Sequence, residues 1–310
     1  MNFLGLVQRL RQEAGASGTG PLTTANQTGE LQRLVNWIND AWLDIQSLRT
    51  DWDWMRSTFS FPTVSSQGIY TTSQMGIPTW SNVDVDTLRN YVNPAVVISI
   101  SSPAIATLAT HGLNINDTII FSTTGTLPTG VVAGQTYYVT NIVDANNLKF
   151  SASLNGTPVI TTGTQNGTHT MSSSNTNLFV GLRSEVQMSV ISYDEWRDNY
   201  YYGALRSTQS RPIEFALPPT KGISLGPVPV AGYTVLGDYF QQPSYMANDT
   251  DIPGLPTQFH MAIVWKALTY YGQYEESAAV IQRGDSNFRN FKRRLMNDQS
   301  PEIDFGGSIA

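Results

Sequence analysis

The residues best equipped for chemistry in this chain are three histidines and four closely spaced pairs of carboxylates. His111, His169 and His260 are the only histidines, and no two stand four apart, the spacing that sets two imidazoles on one helix face against a metal. Asp51/Asp53, Asp84/Asp86, Asp194/Glu195 and Glu275/Glu276 have the side chains for general acid and base work or for a hard cation. Such a pair becomes catalytic only when burial drives the two carboxyls apart in proton affinity, whereas helix ends and solvated loops carry carboxylates for ordinary reasons. With no cysteine there is no thiol nucleophile, no disulfide and no zinc–thiolate or iron–sulfur framework. No G-x-S-x-G elbow, phosphate loop or dinucleotide fingerprint occurs. These patterns favour a protein that is not an enzyme, with no catalytic residues, no cofactor and no metal site. His260 reads as a hydrogen-bonded structural histidine rather than a proton carrier. Trp265, Tyr270, Tyr271 and Tyr274 fall at helical spacing and read as core or interface rather than a base- or sugar-stacking stripe. Tyr137 and Tyr138 are neighbours on a strand, so at most one of them could line a glycan-binding face.

The binding candidate is a basic aromatic stretch near the C-terminal end. If Phe288, Phe291 and Leu295 share one helical face, Arg289, Lys292, Arg293 and Arg294 flank it, and the element is amphipathic. A solvated helix end gives the same pattern. Four cations are few for strong nucleic-acid binding, so a protein partner is the favoured ligand of this set.

The elements that must position these residues follow from composition and periodicity. At 310 residues, 40% of them hydrophobic, the chain can form two folded units with working cores. A formal charge of −6 argues against a surface built to wrap nucleic acid. No stretch reaches the roughly 18 apolar residues that span a bilayer. Arg9 and Arg11 follow the apolar Phe3, Leu4, Leu6 and Val7 rather than preceding them, unlike a signal peptide, so a cytosolic product is expected.

Residues 3 to 13 read as a short helix ended by the loop Gly15 to Gly20. Thr28 is placed to cap a second helix with apolar Leu31, Leu34, Val35, Ile38, Ala41, Trp42, Ile45 and Leu48, and with Asn36, Asn39, Asp40, Gln46 and Arg49 opposite. Phe59-Ser60-Phe61 and Ile69-Tyr70 suggest a hairpin. From Ala95 to Asn175 the only charged residues are Asp117, Asp144 and Lys149. There, short runs such as Thr118 to Phe121, Tyr137 to Thr140 and Leu148 to Phe150 alternate with turn residues, the pattern of a small β-sandwich. Tyr193 to Tyr202 reads as a short helix, and Arg211 to Leu217, Ile223 to Leu225 and Tyr233 to Tyr239 as an antiparallel meander. A long helix then opens at Pro256-Thr257 and ends or bends at Gly284-Asp285. The fold class is therefore α+β: a helical bundle core with a small β-meander, interrupted by an inserted all-β sandwich domain. The expected boundaries are 1–94 and 176–282 for the two parts of the core, 95–175 for the insertion and 283–310 for a C-terminal arm, with Asn93-Pro94 and Ser172 to Asn177 as the close-lying junctions.

Several phrases outside the insertion resemble the head-to-tail adaptor, or connector, proteins of tailed bacteriophages. They are Leu34-Val35-Asn36-Trp37-Ile38-Asn39-Asp40-Ala41-Trp42 through Asp44-Ile45-Gln46 to Asp51-Trp52-Asp53-Trp54; Tyr193-Asp194-Glu195-Trp196-Arg197-Asp198; Arg211-Pro212; Gly237-Asp238-Tyr239; and Leu255-Pro256 through Phe259-His260 to Ala267-Leu268-Thr269-Tyr270-Tyr271. The insertion resembles the Thr/Gly-rich, Ig-like β-sandwich modules of phage virion proteins around His111-Gly112-Leu113, Leu127-Pro128-Thr129-Gly130 and Gly134 to Val139. This resemblance implies a homo-oligomeric ring of roughly twelve copies, since heterologous contacts close by rotation. It further implies attachment under the portal protein, a platform for the next tail or nozzle protein, and DNA passing through the channel without sequence-specific binding. The protein would stand at the head–tail junction of the virion after assembly in the host cytoplasm, with no membrane partner. On this reading Phe288, Arg289, Phe291, Lys292, Arg293, Arg294 and Leu295 are the portal-binding candidates, and the segment from Arg283 to Ile309 orders on binding the portal. The competing reading is a virion carbohydrate- or receptor-binding tail protein that uses the β-rich module.

Overall fold

The computed structural model describes residues 1–15, 20–77, 80–173, 185–230 and 232–299. Its helices are α1 (Phe3–Ala14), α2 (Gly29–Ser47), α3 (Tyr193–Trp196), α4 (Met261–Tyr274) and α5 (Ala278–Asp298). The chain divides into two compact units, Met1–Arg56 with Phe240–Ala310, and Ser57–Tyr239. Of the expected Gly15 to Gly20 loop, residues 16–19 lie outside the described residues, as do 174–177 of the expected junction and 300–309 of the expected arm.

The first unit is helical. On α1, Leu6, Val7 and Leu10 are buried; on α2, so are Leu34, Val35, Ile38, Ala41, Trp42 and Ile45, the three-and-four spacing that makes one continuous stripe. α4 is nearly all apolar on its inner side, and α1, α2 and α5 each pack on it. Trp52, Met55, Phe259 and Leu295 complete the same buried cluster. Asn2 caps α1 by accepting from the Gly5 N–H at 3.0 Å. Thr28 does occupy the cap position of α2, but its side chain accepts no capping bond.

Two amides on α2 do what their polarity alone does not suggest. Asn39 accepts from the Met246 N–H at 3.0 Å and donates to the Met246 carbonyl at 3.1 Å. Gln46 does the same to Ser244, at 3.0 and 2.9 Å. Spaced seven apart, they stand one above the other and hold an extended segment against the helix as a neighbouring strand would. Gln46 is accordingly buried, not part of a solvated face.

Periodicity runs one helix from Pro256 to Gly284; the structure breaks it earlier. α4 ends at Tyr274, and Glu276 takes a φ of +51°, a left-handed conformation that reverses the chain. Gly284 is instead inside α5 and buried. A Cβ there would stand 3.0 Å from the Trp265 carbonyl oxygen and 2.9 Å from Thr269 Cγ2, and a Cβ on Gly272 would stand 2.9 Å from the Ile281 nitrogen. The glycine marks a close helix–helix approach, not an end.

The second unit carries strands β1 (Arg56–Pro62), β2 (Ile69–Thr71), β3 (Trp80–Val92), β4 (Val97–Ile98), β5 (Ala106–Thr107), β6 (Thr118–Thr123), β7 (Thr136–Ile142), β8 (Asn147–Ser151) and β9 (His169–Ser173). After them come β10 (Val186–Gln187), β11 (Ser189–Val190), β12 (Gln209–Ser210), β13 (Glu214–Ala216), β14 (Gly222–Gly226), β15 (Val228–Pro229) and β16 (Tyr233–Gln241). One sheet has the order β1-β16-β3-β10, another β11-β13-β14-β2. The expected hairpin of β1 with β2 therefore does not form, because each joins a different sheet. The expected meander stops after β13 and β14: Pro227 and Pro229 offer no N–H to continue the ladder, and β16 crosses into the other sheet. These sheets bury their own cluster, including Phe61, Tyr70, Leu88, Phe215, Ile223 and Val235. The single α+β core expected for helices and meander is thus replaced by separate cores, since the helices bury their apolar stripes on one another.

The insertion also differs from a sandwich. Its strands form one antiparallel sheet, β4-β5-β8-β7-β6-β9, whose edges meet: the Val96 N–H bonds to the His169 carbonyl at 2.9 Å and the Met171 N–H to the Pro94 carbonyl at 3.1 Å. Closure of six strands encloses Ile98, Phe121, Tyr137, Val139, Phe150 and Met171, so no second sheet is needed to cover them.

Two outcomes follow. Gly284→Ala gains roughly 1 kcal/mol of helix propensity but overpacks the α4–α5 contact at a cost of about 1–3 kcal/mol, so calorimetry should show a lower melting temperature. Tyr70 accepts from the Val64 N–H at 2.9 Å and donates to the Gln67 carbonyl at 2.9 Å, and burial pushes its hydroxyl up to about 12. An unfolded tyrosine titrates near ~10; the folded value is higher, so this contribution is intact below that pH and is lost as pH rises toward about 12. Tyr70→Phe should cost about 1–3 kcal/mol at pH ~7 by urea denaturation, and its deficit should narrow in the same titration above pH ~10.

Candidate docking surface

The seven candidate residues of α5 separate by the angle at which the helix carries them. Leu295 is 1% exposed, and Phe288 and Phe291 are half-buried against the same helical cluster. The close α4–α5 approach at Gly284 turns this stripe inward. Arg289, Arg293 and Arg294 are exposed and Lys292 is half-buried. Arg289 pairs with Asp285 at 2.7 Å, one turn back. Arg294 lies 5.6 Å from the Phe291 ring centre and 5.9 Å from that of Phe259, so its stem and guanidinium cover apolar surface. Among the described residues, Lys292 and Arg293 have no carboxylate at ion-pair distance. Residues 283–298 are already helical and packed, which corrects the expectation that this part of the arm orders only on binding.

The outward side of α2 carries the opposite sign. Arg33, Asn36, Asp40, Asp44 and Ser47 recur every three or four residues and are exposed. Burial would raise the Asp44 carboxyl, but hydrogen bonds from Tyr270 and Lys266 outweigh it and hold the group below the usual carboxylate range; Lys266 Nζ stands 3.1 Å away. Asp40 has no such help: partial burial and the like charge of Asp44 raise it. This acidic stripe is a feature that residue pattern alone did not single out, although Asp40 and Asp44 four apart on a helix were the available signal.

The remaining candidates are placed by structure rather than chemistry. His260 is buried, 2.6 Å from the Met1 amine through Nδ1 and 3.1 Å from the Leu255 carbonyl through Nε2, and burial together with that amine lowers its pKa. His111 accepts from the Leu113 N–H at 3.0 Å, and His169 bonds to Thr123 at 2.8 Å. Asp51 receives two bonds from Arg49, at 2.9 and 2.8 Å, and those bonds hold its carboxyl low. Asp53 opens a short 3-10 turn, Asp194 and Glu195 lie in the first turn of α3, and Glu275 and Glu276 are exposed beyond α4. Among the described residues, no three histidine, aspartate or glutamate side chains converge as a metal site would require. Tyr137 is buried beside Phe121 and Phe150, so it cannot serve as a stacking platform. Trp265 and Tyr271 are part of the helical packing, as expected of that stripe. A cleft of about 360 Å³ beside Trp42, Trp54, Tyr245 and Ile252 contains one carboxylate, Asp251, which is already bonded to the Ala247 and Asn248 N–H groups.

A family model described as SU10 adaptor protein matches residues 131–302, more than half of the chain. It runs from the β-rich module through α3, α4 and α5. No curated protein matches the chain.

The division of α5 into inner and outer residues is checked by alanine substitution. Leu295→Ala should cost about 2–5 kcal/mol in denaturant unfolding because it opens the helical core, whereas Arg293→Ala should stay within roughly 0.5 kcal/mol of the parent.

Proposed function

The chain belongs to the SU10 adaptor protein family, and on that footing we propose that it is a non-catalytic structural subunit of a tailed phage, joining head to tail. The family match carries this reading, because it includes α5 and also α4, the helix on which the rest of the helical unit packs. The subunit forms a ring of roughly twelve copies, built by heterologous contacts that close by rotation. One side of the ring attaches to the portal and the other receives the next tail component. An overall charge of −6 suits a ring around a DNA channel, since like charges keep the passing duplex from adhering. The closed β-module is an accessory to this assembly.

Portal attachment is assigned to the basic end of α5. The apolar three of the candidate set are committed to the core, which leaves cations as the contact groups, with Lys292 and Arg294 on the two flanks of the outward stripe. Joint substitution Lys292→Glu and Arg294→Glu should weaken capture by the cognate portal at least roughly ten-fold in a pull-down, with circular dichroism unchanged. Undiminished capture removes this site assignment. Electron microscopy of the purified chain with its portal tests the adaptor reading itself: a ring at the portal's tail-facing end is expected, and a chain that stays monomeric beside the portal overturns it.

A further inference from the structure

The helical unit exposes two stripes of opposite charge on helices that both pack on α4. On α2 it is Arg33, Asn36, Asp40, Asp44 and Ser47, with Asp40 beside the like-charged Asp44. On α5 it is Gln282, Ser286, Arg289, Arg293 and Asn297, with Arg293 facing water at the centre. Neither stripe has apolar side chains left to offer, because the inward faces of both helices are buried. What remains is a polar row on each helix. On α2, Asp44 is paired with Lys266 and Arg33 lies over the Tyr274 ring, which leaves Asp40 as the open acid. On α5, Arg289 is paired with Asp285, which leaves Arg293 as the open cation among the described residues, and the two are complementary.

We infer that the acidic stripe of α2 on one copy docks against the basic stripe of α5 on the next, making the lateral contact between subunits. The inference rests on the ring reading above and names its interface. A second copy is the occupant because only an identical neighbour answers both stripes at once: DNA would be drawn to α5 and repelled by α2, and an acidic protein partner would leave Asp40 unanswered. The two surfaces are different, so the contact is heterologous and propagates head to tail, as a closed ring requires. Small polar neighbours such as Ser47 and Ser286 leave room for the long Arg293 side chain to reach a carboxylate across the contact. Arg289 and Arg293 thus serve the neighbouring copy, while Lys292 and Arg294, on the flanks, stay available to the portal.

Charge exchange tests this. Asp40→Lys and Arg293→Glu are each expected to reduce ring formation by the full-length chain roughly ten-fold or more, because each sets like charges opposite one another. The double variant Asp40→Lys/Arg293→Glu should regain it, and parental assembly should weaken as salt is raised. Sedimentation velocity and negative-stain microscopy, with and without the portal, read the outcome. Single variants that assemble like the parent, or a double variant no better than either single one, overturn the interface. Loss of portal capture by Arg293→Glu with rings intact overturns it too and returns Arg293 to the portal. A parental chain that forms no ring under any of these conditions brings down the ring reading instead, and the interface with it.

Discussion

The helical unit depends on how closely α4 and α5 approach. Gly272 and Gly284 remove the side chains that would hold the two backbones apart, and once the helices touch there the rotation of α5 is fixed. Phe288, Phe291 and Leu295 then have only the core to face, and Arg289 and Arg293 only the outside. Burial of each large apolar side chain is worth about 1.5–3 kcal/mol, far more than an exposed ion pair at about 0–1 kcal/mol. The hydrophobic stripe therefore decides the orientation, and the charges take the positions left over.

α2 obeys the same ordering of energies. Its apolar stripe seats it on α4, and its polar residues divide by position. Asn39 and Gln46, on the flank toward residues 244–246, become surrogate peptide groups, while Asp40 and Asp44 point away. A helix seated by its apolar stripe, with acid on its outer side, is suited to meeting a basic surface.

Much of this was legible in the residues. The stripes of α1, α2 and α4 and the short strands of the insertion were readable because local periodicity and turn chemistry determine them. The structural role of His260 was readable from the lack of partners at ligand spacing. Pairing across long separations was not. Nothing local in Phe59 to Phe61 says that it joins β16 rather than Ile69-Tyr70, and nothing in Gly284 distinguishes a helix end from a contact point until Trp265 and Thr269 are placed opposite it. The candidate set on α5 was half legible: its helical amphipathy was correct, but whether an apolar stripe seeks a partner or a core depends on what stands across from it.

The stitching of Pro94–Val96 to His169–Met171 has a bearing on crowding. An open sheet offers a row of unsatisfied amides on which a neighbour's strand can template itself, and the danger grows when identical chains are held side by side at very high local concentration. A sheet with its rims sewn together offers no such row. Along that seam the module presents no open rim for another strand to extend, whatever stands beside it.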